Sequence, residues 1–438
     1  MALIELSPEE TTAQPGPGGL PPAYVYRRLG LLLGALLVLV LGGAAPPQSL
    51  LWRHVAFLPL RDADFTAGDG QVYALDFTTD PPTIKAWSGR TGRELWEISG
   101  PAAADGPYAI NARIPGLVLV NVRRSTTVLD SRTGTALWNS TTQLTPLGTG
   151  TGLITTERFR PGTEYDQESG DPGILYGTSS DVLHTEPALS TTLRGVDLRT
   201  GRELWTTTVP GSISTSWSGT ALVVFSSDRI AVRSPSTGAV LRERRLDSDT
   251  AGQVWAETVG PVVLLHHGAY GEDEQIVAYS LDTLDEIWQQ EQPDSEGSSF
   301  GCTGMPCLRS RDDLAVLDPG SGAVRWRTDG TVDLEAFGDA VLQVQAAGDP
   351  RAVVDRRTGR TLVDLERWTI STPLPDDRGL LLMRAEAGAG LVLGVLPTGG
   401  TQVQLLGRVP GGTVPCRADT DVVVCQGDSG VDLFRYLS

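Results

Sequence analysis

The chain has 438 residues, with 53 acidic and 35 basic side chains, so its formal net charge is −18. A surface this acidic repels nucleic acid and anionic lipid, which excludes a general polyanion-binding role and leaves no nucleic-acid partner to expect. Hydrophobic residues make up 40% of the chain, and 51 glycines and 29 prolines interrupt it. This composition is too apolar for a disordered chain and too rich in turn residues for a helical one.

The first part of the chain is predicted to be a disordered cytoplasmic tail followed by a membrane anchor. Residues 1–28 are rich in proline and have almost no apolar periodicity, which is typical of a disordered segment. Residues 29–45 form an uncharged apolar run of the length of a short transmembrane helix. Because Arg27 and Arg28 directly precede this run, the positive-inside tendency keeps the N-terminus in the cytoplasm.

A cleaved secretory signal is the alternative interpretation of the same apolar run. The segment Gly43–Ala45 consists of small residues of the kind found before a cleavage site. The long segment before the run and the two prolines after Ala45 favour an uncleaved anchor instead. Both interpretations place residues 46–438 outside the cytoplasm. The expected location is the cell membrane, crossed once, with the N-terminus in the cytoplasm.

Four cysteines occur, all within the part that is predicted to be exported. Their even number and short separations predict two local disulfides, Cys302–Cys307 and Cys416–Cys425. A metal site is the alternative, but none of the four histidines lies near a cysteine in the sequence. We therefore expect no metal and two structural bridges, each between the first two neighbouring antiparallel strands of its unit.

A short pattern recurs about every 40 residues and indicates the fold. Each copy has an Asp or Ser after a short apolar run, a Gly four residues later, and a Trp four residues after the Gly. The complete copies are Ser88, Gly92 and Trp96; Asp130, Gly134 and Trp138; Asp197, Gly201 and Trp205; and Asp318, Gly322 and Trp326. Three copies have one replacement: Arg242 in place of Trp after Ser234 and Gly238, Leu284 in place of Gly between Ser280 and Trp288, and Val363 in place of Trp after Asp355 and Gly359. A degenerate copy has Gly399 at the corner. A repeat of this length is typical of the four-stranded blade of a β-propeller.

The residue types of the pattern suit a strand, a corner and a second strand. An Asp or Ser side chain accepts backbone N–H groups of the turn that follows it. Glycine supplies a positive φ that other residues adopt only at a cost. A Trp on the next strand can bury a large apolar area between neighbouring sheets. Because the tryptophans recur at one position, we interpret them as core residues and not as part of a cofactor site.

Two further apolar runs precede each corner, so each unit supplies four short strands. The predicted fold is all-β: an eight-bladed β-propeller, with a range of seven to nine, of four-stranded antiparallel blades after one transmembrane helix. The C-terminal unit has only three strand-like runs. We expect residues 50–58 to supply its fourth strand beside Val431–Tyr436, which would close the ring and remove its free edges. The third unit is longer than the others and predicts an insertion at about 159–189.

The run D-x-x-T-G-x-x-x-W, at Asp130–Trp138 and Asp197–Trp205, resembles the repeat of the pyrroloquinoline-quinone (PQQ) propeller superfamily. The resemblance covers nearly all of residues 50–438 and implies the propeller fold. In dehydrogenase members it implies a quinone held between a tryptophan floor and a vicinal cysteine pair, with a calcium ion on acidic and amide ligands. This chain has no adjacent cysteines and looks more like the non-enzymatic members. We therefore expect no cofactor, and a PQQ-dependent dehydrogenase is the alternative.

The insertion is the main candidate for a binding site, because long loops on a rigid scaffold often carry binding. Its acidic and aromatic side chains form a possible partner loop: Glu164, Tyr165, Asp166, Glu168 and Asp171. A solvated acidic loop is the alternative interpretation. Calcium is not expected there, because the acidic residues lack the spacing of a calcium loop.

A second candidate is the pair His266 and His267, followed by Glu272, Asp273 and Glu274. Adjacent side chains of a strand point to opposite faces, so the two histidines are poorly placed to share one ion. We therefore expect a structural role for them. The leading hypothesis is a non-catalytic, membrane-anchored propeller that binds a protein or a cell-envelope glycan. Its membrane contact would be made by residues 29–45.

Overall fold

The computed structural model describes residues 52–60, 63–100, 108–148, 150–166, 175–177, 182–246, 253–268, 274–292, 302–310, 312–386, 390–409, 412–427 and 429–436. The predicted tail at 1–28 and the predicted anchor at 29–45 lie outside these residues. Within the described residues, no helix has the length and apolar character needed to cross a membrane.

The described residues form thirty-six strands in nine sheets, each of which is one blade of a propeller ring. We number the blades in chain order. Blade 1 contains β2 (Ala63–Gly68), β3 (Gln71–Asp76), β4 (Thr83–Ser88) and β5 (Glu94–Ser99). Blade 2 contains β6 (Tyr108–Asn111), β7 (Leu117–Val122), β8 (Ser125–Asp130) and β9 (Ala136–Ser140). Blade 3 contains β10 (Leu144–Leu147), β11 (Thr151–Arg158), β12 (Ser190–Asp197) and β13 (Glu203–Pro210).

The next three blades follow the same order. Blade 4 contains β14 (Ile213–Ser218), β15 (Ala221–Ser226), β16 (Arg229–Arg233) and β17 (Val240–Arg245). Blade 5 contains β18 (Gln253–Val259), β19 (Val262–Gly268), β20 (Glu274–Ser280) and β21 (Glu286–Gln292). Blade 6 follows the short β22 (Cys302–Thr303) and contains β23 (Cys307–Arg309), β24 (Asp313–Leu317) and β25 (Val324–Asp329).

The last three blades complete the ring. Blade 7 contains β26 (Val332–Phe337), β27 (Ala340–Gln345), β28 (Pro350–Asp355) and β29 (Thr361–Asp364). Blade 8 contains β30 (Ile370–Pro373), a 3-10 turn (Pro375–Asp377), β31 (Gly379–Glu386), β32 (Gly390–Pro397) and β33 (Gln404–Val409). Blade 9 contains β34 (Gly412–Ala418), β35 (Val422–Gly427), β36 (Val431–Tyr436) and, from the other end of the chain, β1 (Trp52–Leu58).

Nine apolar clusters hold the blades together, and each lies between two neighbouring blades. Blade 9 packs on blade 8, for example through Phe434 and Val409, and on blade 1, through Val424 and Val72. The ring is therefore closed. Nine blades lie at the upper limit of the predicted range, because the degenerate unit at Gly399 and the closing unit each build a separate sheet.

Blade 9 joins the two ends of the described chain, as the three-stranded C-terminal unit predicts. Strand β1 pairs antiparallel with β36, with Trp52 opposite Tyr436 and Leu58 opposite Val431. The ring of Trp52 stacks on Phe434 with 4.4 Å between centroids. Hydrogen bonds and apolar contacts therefore hold β1 in blade 9, because the chain continues from β1 into blade 1 and not into blade 9.

The structure contains both disulfides that the cysteine spacing predicts, but their surroundings differ. Cys416 and Cys425 face each other on the paired strands β34 and β35 of blade 9. Cys302 does not lie on a strand paired with that of Cys307, because β22 pairs in parallel with β26 of blade 7. The expectation that both bridges join neighbouring antiparallel strands is therefore wrong for blade 6. There the bridge links a strand that has crossed to the next blade.

Candidate functional site

The corner Asp residues of the repeat lie in the turn between the third and fourth strands of their blades. The Oδ1 of Asp197 accepts the backbone N–H groups of Arg199 and Thr200 at 3.1 and 2.8 Å. Asp130 and Asp355 accept the equivalent pair of N–H groups. The pKa of Asp197 is lowered, first by the hydrogen bond from the Thr200 hydroxyl and then by its backbone N–H. These carboxylates hold the turn.

The corner glycines combine a left-handed backbone with a close approach to the preceding blade. Gly134 has a φ of 69°, and a Cβ built on it would lie 2.6 Å from Cε3 of Trp96. The same relation recurs in these pairs of glycine and preceding tryptophan: Gly201 and Trp138, Gly238 and Trp205, Gly322 and Trp288, and Gly359 and Trp326. Glycine is therefore needed at the corner for two reasons, its φ and the space that the indole occupies.

Each motif tryptophan is also hydrogen-bonded to the blade that follows it. The indole N–H of Trp96 donates to the carbonyl of Ser131 at 3.0 Å, and that of Trp138 to Leu198 at 2.8 Å. The indole groups of Trp205, Trp288 and Trp326 donate to the equivalent carbonyls of Pro235, Pro319 and Arg356. The tryptophans are thus fixed between blades by packing and by one hydrogen bond each.

The contact between a tryptophan and the next corner glycine is missing between blades 4 and 5, where both residues are replaced. Blade 4 has Arg242 in place of tryptophan, and the next corner has Leu284 in place of glycine. Leu284 adopts a φ of 60° and is only 2% exposed. Its carbonyl accepts a hydrogen bond from Arg244 at 3.0 Å. A leucine side chain is accommodated at this corner because no indole approaches it.

A β-bulge precedes the tryptophan position on the fourth strand of every blade. In blade 2, Trp138 lies opposite Val128 and Ala136 opposite Leu129, so Leu137 is the extra residue. The pairing of third and fourth strands shifts at the same point in the other eight blades. A bulge redirects the side chains that follow it. It therefore allows the tryptophan to face the next blade.

The described residues do not fit a PQQ site of the dehydrogenase type. The five motif tryptophans are engaged between blades, and none is free to form a floor for a quinone. The cysteines form two bridges with five and nine residues of sequence separation, and none is vicinal. In the described part of the chain, no group of three or more His, Cys, Asp or Glu side chains is arranged to hold a metal ion.

The histidine pair lies on β19 in blade 5. His266 is 2% exposed, and its Nε2 lies 3.7 Å from Oε1 of Glu257 on the neighbouring strand. The side chain of His267 and the residues Glu272 and Asp273 lie outside what the structure describes, as does the side chain of Glu274. The described geometry shows a buried histidine beside one carboxylate.

A cavity of about 470 Å³ opens at the end of the ring where the corners lie. It is lined by the turns between the first and second strands of blades 8, 9, 1 and 2. Asp419 accepts the backbone N–H of Gly70 at 2.6 Å, and Asp69 accepts that of Gly116 at 3.1 Å. These carboxylates join blade 9 to blade 1 and blade 1 to blade 2.

The insertion connects β11 and β12 of blade 3, so it lies at the opposite end of the strands from the corners. Two short bridges organise its described part, one between Glu164 and His184 and one between Tyr176 and His184. The backbone N–H of Tyr165 donates to Leu183 at 2.8 Å. Of the predicted partner loop, Glu164, Tyr165 and Asp166 are described, and Glu168 and Asp171 lie outside the described residues.

A second cavity, of about 450 Å³, lies between the insertion and blade 2. Three connections line it: the turn after β7 with Arg124, the link from blade 2 to blade 3 with Thr141 and Thr142, and the insertion with Phe159 and His184. Of these three connections, the sequence pattern predicts only the insertion as part of a binding site. The blade 2 residues could have been found from strand direction, because all three connections start at the same end of the blades.

The fold and these sites define the class of protein: a closed propeller built from PQQ-like repeats. The family model described as outer membrane protein assembly factor BamB matches residues 43–171 and 190–369, and the chain belongs to that family. The matched segments leave out residues 172–189, which lie within the insertion. No curated protein sequence matches the chain significantly.

Three solved structures that match the chain have TM-scores below 0.5. BamB from Moraxella catarrhalis is 13% identical, with a TM-score of 0.38, and the match covers 88% of this chain and 100% of that one. A europium-containing methanol dehydrogenase is 12% identical, with a TM-score of 0.39 and coverage of 76% and 84%. Quinohemoprotein alcohol dehydrogenase from Comamonas testosteroni is 10% identical, with a TM-score of 0.38 and coverage of 88% and 76%.

Proposed function

We propose that this chain is a non-catalytic binding module, anchored in the cell membrane by residues 29–45, whose propeller lies outside the cytoplasm. The main support for the proposal is that the repeat residues serve to hold the fold together. The tryptophans and corner carboxylates fix blades and turns, so the repeats supply a rigid scaffold and leave the connections between strands for binding. The family's description as an assembly factor supports a partner-binding role.

The proposed location is supported by the two disulfides and by the N-terminal sequence. Disulfides persist in oxidising compartments and are rare in the cytoplasm. A topology experiment tests this directly: alkaline phosphatase, which is active only outside the cytoplasm, is fused to Ser438 of the full chain. We expect phosphatase activity, and an intact mass of the membrane-extracted protein that includes residues 29–45. A silent phosphatase fusion would contradict the location, and a mass beginning near Ala45 would contradict the anchor.

The alternative, a PQQ-dependent dehydrogenase, is tested by reconstitution of the purified full chain with PQQ and calcium. We expect no stoichiometric quinone absorbance after gel filtration and no dye-linked oxidation of alcohols or sugars. Stoichiometric binding with dye reduction would overturn the non-catalytic proposal. Proximity labelling from the propeller in cells then identifies its protein partners, with the same label on an unrelated exported domain as control.

A further inference from the structure

The cavity between the insertion and blade 2 has the features of a built binding site. Its volume of about 450 Å³ lies within the range of small-molecule pockets. The insertion wall is held by main-chain hydrogen bonds, including N–H groups of Tyr176 and His184 that each donate to the other's carbonyl at 2.8 Å. The backbone N–H of Leu189 donates to the carbonyl of Arg158 at 2.8 Å, where β11 ends. The wall is thus fixed to blade 3.

His184 is the most informative side chain of the cavity. It is only 8% exposed, and its ring lies parallel to Phe159 with 3.7 Å between centroids. The hydroxyl of Thr163 donates its single hydrogen to the carbonyl of Arg160 at 2.8 Å, so it must accept from Nδ1 of His184, 3.0 Å away. The hydrogen-bond network therefore places the proton on Nδ1. Nε2 is left as an acceptor with no hydrogen-bond partner among the described residues.

The remaining polar groups of the cavity are balanced in charge. Arg124 and Arg160 supply two positive side chains, and Glu157 and Glu164 supply two negative ones. Arg160 is additionally paired with Glu186 at 3.3 Å. The lining therefore offers charges of both signs and gives no net attraction to a simple anion or cation.

Hydroxyl groups and an aromatic surface complete the lining. The threonines at 141, 142 and 156 each carry a hydroxyl that can both donate and accept a hydrogen bond. Phe159 is half-buried and supplies apolar area. A sugar ring has alternating hydroxyl groups, which use donors and acceptors equally, and an apolar C–H face that can pack on an aromatic side chain.

We propose that this cavity binds a neutral oligosaccharide, with Phe159 as the apolar contact and Nε2 of His184 as an acceptor for a sugar hydroxyl. The proposal rests on the proposed function and deepens it, because it assigns the glycan partner to one site. It requires hydroxyl-bearing ligands without net charge. It also predicts that the site is confined to the insertion end of the ring.

The experiment is ligand-observed NMR titration of the purified full chain in detergent with maltotriose, mannotriose and triacetylchitotriose as probes, and with trialanine as a peptide probe. We expect saturation transfer to at least one trisaccharide. Phe159→Ala should weaken its binding about tenfold, through lost aromatic contact. Thr142→Val, which removes a hydroxyl and keeps the shape of the side chain, should weaken it roughly threefold. The matched control is Phe77→Ala, an exposed aromatic after β3 in blade 1 that lies outside the cavity, which should leave the affinity unchanged.

Three outcomes would each overturn the proposal: no saturation transfer to any trisaccharide, transfer to trialanine alone, or equal affinity of Phe159→Ala and the wild type for the trisaccharide. A thermal melt of each variant identifies loss of fold, and Thr142→Val supplies the test if Phe159→Ala is unfolded. The phosphatase fusion is independent of these titrations. A silent fusion with sugar binding would overturn only the location, whereas an active fusion without sugar binding would overturn only this inference.

Discussion

At the residue scale, the repeat has two roles: it forms a turn within one blade, and it makes contacts between neighbouring blades. At five corners the glycine receives the indole of the blade before it, and that indole donates to a carbonyl of the same corner. Gly399 is the informative exception. The preceding blade has Val363 in the tryptophan position, and a Cβ on Gly399 would meet nothing within 4 Å. The two requirements for glycine can therefore be separated by experiment.

Gly134→Ala should destabilise the protein more than Gly399→Ala. Both positions have a left-handed φ, of 69° and 73°, so both substitutions carry a similar backbone cost of about 1–2 kcal/mol. Only at Gly134 does the new Cβ overlap Trp96, which should add about 1–3 kcal/mol. Denaturant unfolding of the two variants measures the difference, and tryptophan fluorescence reports on the indole. Equal destabilisation of the two variants would show that the Trp96 indole moves aside with no loss of unfolding free energy.

Arg242 and Leu284 should behave as a coupled pair. Arg242→Trp alone brings an indole against the buried Leu284 side chain and should destabilise the ring. Leu284→Gly alone removes that side chain and leaves a void. The double variant restores the pair seen at the other corners, so it should be more stable than the sum of the single variants predicts, by about 0.5–3 kcal/mol.

Unfolding free energies of the wild type, both single variants and the double variant complete the thermodynamic cycle for this pair. Additivity within about 0.5 kcal/mol would contradict the assigned contact. Gly359→Leu in the wild type is a useful comparison, because Trp326 occupies the space there and a leucine should not be tolerated.

At the element scale, sequence periodicity predicts the strands well and the details at their ends poorly. The corner, the four strands of a unit and the closing strand follow from apolar runs and turn residues. The bulge does not, although the adjacent apolar residues Leu137 and Trp138 on an outer strand break the expected alternation and mark it. The crossing of β22 to blade 7 and the cavity residues of blade 2 depend on contacts between units, which no single unit encodes.

The corners should make the ring sensitive to acid. The lowered pKa of Asp197, caused first by hydrogen bonds from Thr200, means that the folded state favours the carboxylate. Such a group stabilises the fold above its ordinary pKa of 3.8, and this contribution is lost as the pH falls through the lowered value. Asp197→Asn should therefore be less stable than the wild type at pH 7. The difference should shrink towards pH 3 in unfolding midpoints measured across this range. A constant difference would exclude a role for the charge.

At the scale of the whole molecule, stability depends on one seam between the chain ends. Seven blades are continuous in sequence, and blade 7 adds only the short β22 at its edge, whereas blade 9 takes its whole outer strand from residues 52–58. The Trp52 ring stacks on Phe434 and packs against Gly407 of blade 8, where a Cβ would lie 2.5 Å from it. Opening of this seam would expose apolar surfaces on both blade 8 and blade 1.

Trp52→Ala should loosen the seam and affect both neighbouring blades. We expect faster amide hydrogen exchange in β1, β36 and the facing strands of blades 8 and 1, with a loss of about 3–5 kcal/mol at most. Trp217→Ala is the matched control, because Trp217 is also partly buried but lies in blade 4, away from the seam. Exchange confined to β1, or an equal effect of the two substitutions, would show that the seam does not limit stability.

The pairing of each indole with the corner of the next blade also bears on how such a ring can be lengthened. A unit that carries both a corner glycine and a tryptophan presents compatible surfaces on its two sides, so a duplicated copy can be placed next to any other such unit. Blades 4 and 5 are different, since the leucine corner of blade 5 accepts only a neighbour without the indole. Blades 1, 2, 3 and 6 carry both residues and are thus interchangeable in order, whereas blade 5 must follow a blade that lacks the indole, as blade 4 does.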